Sequence, residues 1–174
     1  MPATLTAAAA PKPRNVSLST HRVEVFSKPG FTDPAGAGIL AQLPSLGISG
    51  VTDVKVGALY EFRGPISPNQ MTSIAKDLLA DPITQDFALN GQRPQGVFWG
   101  PHWRIEVWLK PNVSDPVESS LIKAVGDLGL ASPESARQGV VYKFWGRLHP
   151  VQAEKIATKL LANPVVHRTV IESC

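Results

Sequence analysis

Four histidines and one cysteine are the side chains of this 174-residue sequence best suited to nucleophilic or metal chemistry. The histidines, His21, His102, His149 and His167, lack the spacing of metal ligands, and Cys174 is the last residue. The sequence also lacks a GxxxxGK phosphate loop, a CxxC pair, an HExxH helix and a GxSxG elbow. We therefore predict no catalytic, cofactor-binding or metal-binding residue in this chain.

The segment DPAGAG at residues 33–38 is the one candidate for a phosphate site, because the N-terminus of a helix attracts anions. Pro34 removes one N–H donor there, and two glycines alone are a weak phosphate signature. Asp33 is instead suited to accept hydrogen bonds from free backbone N–H groups at a helix start. We interpret the segment as a helix cap whose small residues allow close packing.

Composition and charge narrow the classes of partner. No run approaches the 18 apolar residues that a membrane span needs, and the net charge of +3 comes from scattered lysines and arginines. We therefore expect neither a membrane nor a nucleic-acid partner. A single cysteine cannot form an internal disulfide, which fits a reducing, cytoplasmic location. Residues 1–21 lack the apolar core of a secretory signal and are predicted to form a disordered arm.

The chain repeats itself at an offset of 82 residues. Three pairs of segments match at this offset: VEVFSKPGFTDP (23–34) with IEVWLKPNVSDP (105–116), GALYEFRG (57–64) with GVVYKFWG (139–146), and LLADPIT (78–84) with LLANPVV (160–166). Each copy is far longer than a solenoid repeat, and there are only two copies. The sequence therefore predicts two small units, residues 22–90 and 104–174, joined by a linker at residues 91–103.

Each unit has the pattern strand, helix, bent strand, helix, strand. Gly57 and Gly139 interrupt the central strand patterns and predict a bulge, a bend or a tight turn there. Asp–Pro pairs suit helix starts, glycine suits a left-handed helix stop, and proline ends a helix before it. The predicted starts and stops are Asp33, Pro34, Gly47, Pro82, Asp115, Pro116, Gly129 and Pro164.

This order of elements predicts an α+β fold in which two helices cover one face of a small antiparallel sheet in each unit. A unit of this size has only a marginal core, and aromatic residues remain for the second sheet face. We therefore expect the two units to pair about a pseudo-twofold axis, which buries apolar surface that neither unit can bury alone.

The matching segments resemble the PurS family, the small subunit of phosphoribosylformylglycinamidine (FGAM) synthase. DPAGAGI (33–39), LGISGVTDVKVG (46–57) and LLADPITQDF (78–87) carry the likeness in the first unit, and LLANPVV carries it in the second. Members of this family usually hold one such unit per chain and assemble as dimers or higher oligomers. The present chain resembles two PurS units fused in tandem, although Glu118 replaces the glycine of the DPxG helix start in the second unit.

The resemblance implies a non-catalytic structural subunit that bridges a synthetase (PurL-like) and a glutaminase (PurQ-like) subunit and supports ammonia transfer in de novo purine (IMP) biosynthesis. The whole complex is an ATP-dependent ligase that is expected to use ATP, Mg and glutamine, none of them bound by this chain. A homodimer of the fused chain is a further expected assembly.

Three aromatic residues, Phe98, Trp99 and Trp103, are unusual in a linker. They are candidates for an interface with a partner, because aromatic residues are enriched in binding hot spots, and equally for packing on the chain's own sheet. Two other functions fit the fold class: a tandem ACT-like module that senses a small metabolite, and an RNA-binding module of the RRM type. The scattered basic residues disfavour the RNA-binding module.

Overall fold

A computed structural model describes residues 18–92 and 100–174 of the chain. Six strands form one antiparallel sheet in the order β3-β1-β2-β5-β4-β6. The strands are β1 (Ser19–Ser27), β2 (Val51–Gly64), β3 (Gln85–Leu89), β4 (His102–Leu109), β5 (Ser135–Gly146) and β6 (His167–Ser173). The helices are α1 (Pro34–Gln42), α2 (Pro68–Ile74), α3 (Glu118–Asp127) and α4 (Pro150–Ile156). The predicted α+β class with two equivalent repeats is confirmed.

The two halves of the sheet meet at β2 and β5, which are equivalent strands of the two repeats. Ala58 pairs with Val140, its own equivalent at the offset of 82 residues. Val54 pairs with Phe144 on one side of this point, and Phe62 pairs with Ala136 on the other. This register maps onto itself when the repeats are exchanged. The predicted pseudo-twofold axis therefore passes between Ala58 and Val140.

The central strands run without a bulge or turn through Gly57 and Gly139, and the prediction of an interruption at these glycines was wrong. Both glycines are instead required by a neighbouring side chain that lies against the strand. A Cβ atom on Gly57 would lie 2.6 Å from Cε1 of Phe26, and one on Gly139 would lie 2.7 Å from Cε3 of Trp108. Each glycine therefore leaves room for an aromatic ring from the adjacent strand to lie against the backbone.

Two apolar cores lie between the sheet and the helices, and each core draws residues from both halves of the chain. The first core combines Met71 and Ile74 of α2 with Leu121 and Val125 of α3. In the second core, Ala153 and Ile156 of α4 pack with Leu43, which follows α1. The first helix of each repeat thus completes the core under the second helix of the other repeat. We call these two clusters the crossed cores.

The helix starts differ between the repeats. Asp33 caps α1 by accepting a hydrogen bond from Gly36 N at 2.8 Å, and it also accepts one from Val56 N at 2.8 Å. Asp115 accepts from Gln138 N at 3.2 Å, the equivalent of the Val56 contact, but α3 begins only at Glu118. In both repeats the aspartate therefore ties the start of the helical segment to the central strand.

The helix ends and the repeat boundaries also follow a common plan. Gly47 and Gly129 have left-handed φ angles of 74° and 71°. The strands β1 and β4 begin at Ser19 and His102, inside the segments assigned above to the arm and to the linker. Within residues 18–92 and 100–174, no helix is long and apolar enough to cross a membrane.

Candidate functional site

The helix-free face of the sheet carries a group of charged side chains at its centre. Four of them alternate along β1 and β4 with the valines and isoleucine that face the helices, since successive side chains of a strand point to opposite faces, and the other two lie on β2 and β5. We call the group the central charge cluster, and its members are Arg22, Glu24, Glu61, Arg104, Glu106 and Lys143.

Arg104 is the hub of the central charge cluster. Its guanidinium lies 2.6 Å from Oε1 of Glu24 and 2.6 Å from Oε1 of Glu106, and its side chain is only 11% exposed. Arg22 donates to Oε2 of Glu106 at 2.5 Å, and Nζ of Lys143 lies 3.1 Å from Oε2 of Glu24. The contacts Arg22–Glu106 and Arg104–Glu24 join opposite halves and are related by the pseudo-twofold axis.

The buried carboxylate of Glu106 remains ionised. Burial alone would raise the pKa of Glu106, but hydrogen bonds from Trp108, Arg104 and Arg22 outweigh it and hold that pKa below its ordinary value. Burial opposes the charge of Arg104, yet the attraction of Glu24 and Glu106 raises the pKa of that guanidinium. Such groups exchange no proton near neutral pH, so the cluster can act as a fixed ion network rather than as an acid–base pair.

Aromatic and aliphatic residues form the floor of this face. Phe26, Leu59, Trp108 and Val141 are all buried and pack together, two from each half. Nζ of Lys143 lies 4.6 Å from the ring centroid of Phe26, and the guanidinium of Arg22 lies 5.4 Å from that of Trp108. Cations at these distances are attracted by the ring faces, so the floor and the central charge cluster stabilise each other.

The residues that follow α2 and α4 form a second feature, which is built identically in both repeats. Each helix widens into a π-helical turn, marked by bonds from Ala80 N to Ala75 O at 3.0 Å and from Ala162 N to Ala157 O at 2.9 Å. The chain then turns into the edge strands β3 and β6. We call residues 81–84 and 163–166 the twin turns.

Hydrogen bonds hold the twin turns in one conformation. Asp81 Oδ1 accepts from Ile83 N at 2.7 Å, and the backbone hydrogen bonds from Thr84 and Ile83 hold the pKa of Asp81 below its ordinary value. Nζ of Lys28 donates to Pro82 O at 2.6 Å.

The second turn repeats this arrangement. Asn163 Oδ1 accepts from Val165 N at 2.9 Å, and Nζ of Lys110 donates to Pro164 O at 2.6 Å. The tips, Ile83 and Val165, are 74% and 75% exposed. Each turn therefore presents one aliphatic side chain to solvent on a hydrogen-bonded support.

The histidines occupy separate structural positions. His21 is buried, with Nε2 2.9 Å from Ile66 O, and Nδ2 of Asn90 lies 3.2 Å from its Nδ1. His102 stacks on Trp145, and His167 Nδ1 accepts from Asn163 N at 3.0 Å. In the part of the chain that the structure describes, no group of three or more His, Cys, Asp or Glu residues could hold a metal ion.

The candidate interface residues divide into two groups. Trp103 lies in β4, packs against the second crossed core, and donates its indole N–H to Leu148 O at 2.9 Å. Trp103 therefore packs on the chain's own sheet, which is the second of the two roles predicted for it. Phe98 and Trp99 lie outside the described residues.

Comparisons with known proteins address the family. The model of the PurS family, described as phosphoribosylformylglycinamidine (FGAM) synthase, matches residues 20–93 and again residues 102–173. The chain belongs to the PurS family. Both repeats are therefore PurS units, as the sequence resemblance predicted. Nothing in this match supports the ACT-like alternative.

Solved PurS structures from three organisms are also similar to the chain. Bacillus subtilis PurS is 23% identical, with 42% of this chain and 98% of that chain covered and a TM-score of 0.39. Methanocaldococcus jannaschii PurS, described as a subunit of formylglycinamide ribonucleotide amidotransferase, is 22% identical, with coverages of 42% and 95% and a TM-score of 0.39. Thermus thermophilus PurS is 25% identical, with coverages of 42% and 96% and a TM-score of 0.33. No curated protein matches the chain.

Sequence reasoning missed the central charge cluster, although a signal for it exists. The first strands read RVEVF at residues 22–26 and RIEVW at residues 104–108, which places an arginine, a glutamate and an aromatic ring on one face of each strand. Two such charged triplets at equivalent positions indicate a polar cluster near the axis that relates them.

Proposed function

We propose that the chain is a non-catalytic structural subunit of FGAM synthase, an enzyme of de novo purine (IMP) biosynthesis in the cytoplasm. It bridges the synthetase and glutaminase subunits and supports the transfer of ammonia between them. The observation that carries this proposal is the PurS match over both halves of the chain. The ATP, Mg²⁺ and glutamine that the complex uses are bound by the two partners.

A bridging subunit has a physical purpose in such a complex. Ammonia released into water at neutral pH becomes ammonium, which has no free electron pair and cannot attack the activated substrate. A subunit that holds the glutaminase against the synthetase excludes water from the route between them and keeps the ammonia reactive.

Two features of the structure support a scaffold role. The carboxylates Glu24 and Glu106 are committed to arginine and lysine partners. The twin turns present Ile83 and Val165 beside the two edge strands of the sheet, which gives the chain two equivalent contact points at its two sides. A protein that holds two neighbours together needs such a pair of separated contacts.

The proposal is tested by reconstitution with the synthetase and glutaminase subunits of the same organism. We expect the chain to co-purify with both partners in the presence of ADP, Mg²⁺ and glutamine. We also expect glutamine-dependent FGAM formation to require the chain, whereas activity with added ammonium chloride does not, because free ammonia bypasses the bridge. Full glutamine-dependent activity without the chain, or failure to recover either partner, would overturn the proposal.

Two variants locate the contact within the same assay. The pair Ile83→Ser and Val165→Ser removes the tips of the twin turns, and both sites are exposed, so folding is retained. The pair Phe98→Ser and Trp99→Ser tests the aromatic candidates from the linker. If only one of the two variant pairs loses co-purification, the residues changed in that pair form the interface.

A further inference from the structure

Within the central charge cluster, the two halves of the chain differ in charge at one pair of equivalent positions. Arg22 and Arg104 are equivalent, as are Glu24 and Glu106, but Glu61 of the first half corresponds to Lys143 of the second. These six residues therefore contribute one net negative charge from the first half and one net positive charge from the second. At the rim of the second half, Glu172 lies 3.8 Å from Nε of Arg104 and the guanidinium of Arg168 lies 5.6 Å from the Trp108 ring centroid, and their two charges cancel.

This difference makes the pairing of unlike halves neutral and the pairing of like halves charged. Two first halves would bring two arginines and four glutamates to the cluster, for a net charge of about −2, and two second halves would bring about +2. In the observed pairing, Lys143 lies 3.1 Å from Glu24 of the other half, whereas Glu61 lies 3.6 Å from Arg22 of its own half. Uncompensated charge would be costly at Lys143 and Glu24, whose side chains are only 11% and 10% exposed.

The apolar floor differs between the halves in the same complementary way. Phe26 corresponds to Trp108, and Leu59 corresponds to Val141. The first half therefore supplies the smaller ring and the larger aliphatic side chain, and the second half supplies the larger ring and the smaller aliphatic side chain. Two second halves would place two indole rings and two valines in this buried space, and two first halves would place two phenyl rings and two leucines there. The total volume would change little, but the shapes would no longer match, and a mismatch of shape in a buried core costs stability.

We propose that the central charge cluster makes the pairing of the halves specific: it favours the unlike half of the same chain and rejects a like half of a second chain. The first half acts as the acidic partner and the second half as the basic partner. The fused chain therefore presents one defined pair to its neighbours, with two chemically distinct sides. This inference does not depend on the proposed function.

The test is a charge exchange in the full-length chain, followed by thermal unfolding. Lys143→Glu places a third carboxylate beside Glu24 and Glu106, and we expect the Tm to fall by about 10 °C. Glu61→Lys places a third cation beside Arg22, at a site 30% exposed, and we expect a fall of about 5 °C.

The double exchange decides between complementarity and simple charge loss. The pseudo-twofold axis brings the lysine introduced by Glu61→Lys to Glu106 as it brings Lys143 to Glu24. The variant that combines Glu61→Lys with Lys143→Glu should therefore recover to within about 3 °C of the parent.

Asp77 and Lys159 are the matched control, because they are also equivalent and opposite in charge but are exposed on the helix side. Their exchanges, single or double, should move the Tm by less than about 2 °C.

Three results would overturn the proposal. One is a double exchange whose loss equals the sum of the two single losses. Another is a pair of single exchanges that leave the Tm unchanged. The third is a control pair that behaves in the same way as the pair in the central charge cluster.

Discussion

Two glycines in α1 predict opposite responses to the same substitution. Gly36 is buried, and a Cβ atom there would lie 2.3 Å from the backbone oxygen of Val54 and 2.8 Å from Oδ2 of Asp33. Gly38 is exposed, and a Cβ atom there would have no neighbour within 4 Å. The contrast separates close packing from helix propensity within a single helix.

The magnitudes follow from this geometry. Gly38→Ala should stabilise the chain by about 1 kcal/mol, the difference in helix propensity, and raise the Tm by about 2–4 °C. Gly36→Ala gains the same propensity but forces α1 to retreat about 1 Å from β2, which also disturbs the hydrogen bonds of Asp33. Overpacking of this kind costs about 1–3 kcal/mol, and the backbone oxygen cannot rotate away, so after the propensity gain of about 1 kcal/mol we expect a net loss of about 1 kcal/mol.

The assay is urea unfolding of the full-length chain, followed by circular dichroism. The midpoint should rise for Gly38→Ala and fall for Gly36→Ala, with the slope unchanged in both, since neither substitution changes the surface exposed on unfolding. A Gly36→Ala protein as stable as the parent would refute the packing argument. It would also favour the other explanation of the DPAGAG segment, in which its residues are small because a ligand binds there.

Two further predictions concern the helix-free face. Glu106→Gln should cost about 3–5 kcal/mol at pH 7, because it breaks buried ion pairs with Arg22 and Arg104. The folded-state pKa of Glu106 is lowered, so the stability that its carboxylate contributes is present above its ordinary pKa of 4.5 and is lost as the pH falls through the folded pKa. Urea titrations at pH 7 and pH 3 should therefore show the free energies of unfolding of variant and parent converging in acid. An equal difference at both pH values would contradict this. Gly139→Ala should cost about 1–3 kcal/mol through its contact with the Trp108 ring, and this loss should shrink in a Trp108→Leu background if the ring is the cause, as a double-mutant cycle by urea unfolding will show.

The local elements could be predicted from the sequence because their signals are local. Alternation along residues 23–27 and 105–109 indicates strands, and stripes of apolar residues indicate helices. The pseudo-twofold axis could be predicted as well, since two equal units that each lack a complete core bury the most surface by isologous contact.

The arrangement of helices over the sheet could not be predicted in this way. An apolar stripe shows that a helix is buried but not against which strands, and the two repeats present nearly equal surfaces. Leu121 and Val125 are therefore as compatible with one half of the sheet as with the other by pattern alone, although they pack in the first core. The choice depends on the connection between each helix and the next strand, which the periodicity does not describe.

The candidate sites were hidden for a related reason. Arg22 and Glu106 lie on strands separated in the sheet by β2 and β5, so their contact depends on how the whole sheet is shaped. Gly57 and Gly139 gave a clear signal that was assigned to the wrong cause, because a glycine in a strand serves a close-lying ring as well as a bulge.

The crossed cores determine the order of events during synthesis. When residues 18–92 have left the ribosome, α3 does not yet exist, and Met71 and Ile74 lack the residues that cover them in the finished protein. The first core needs the chain as far as Ala136, 44 residues later, which takes roughly 2–9 s at about 5–20 residues per second. Neither repeat therefore completes its core alone, and both cores close only during or after translation of the second half.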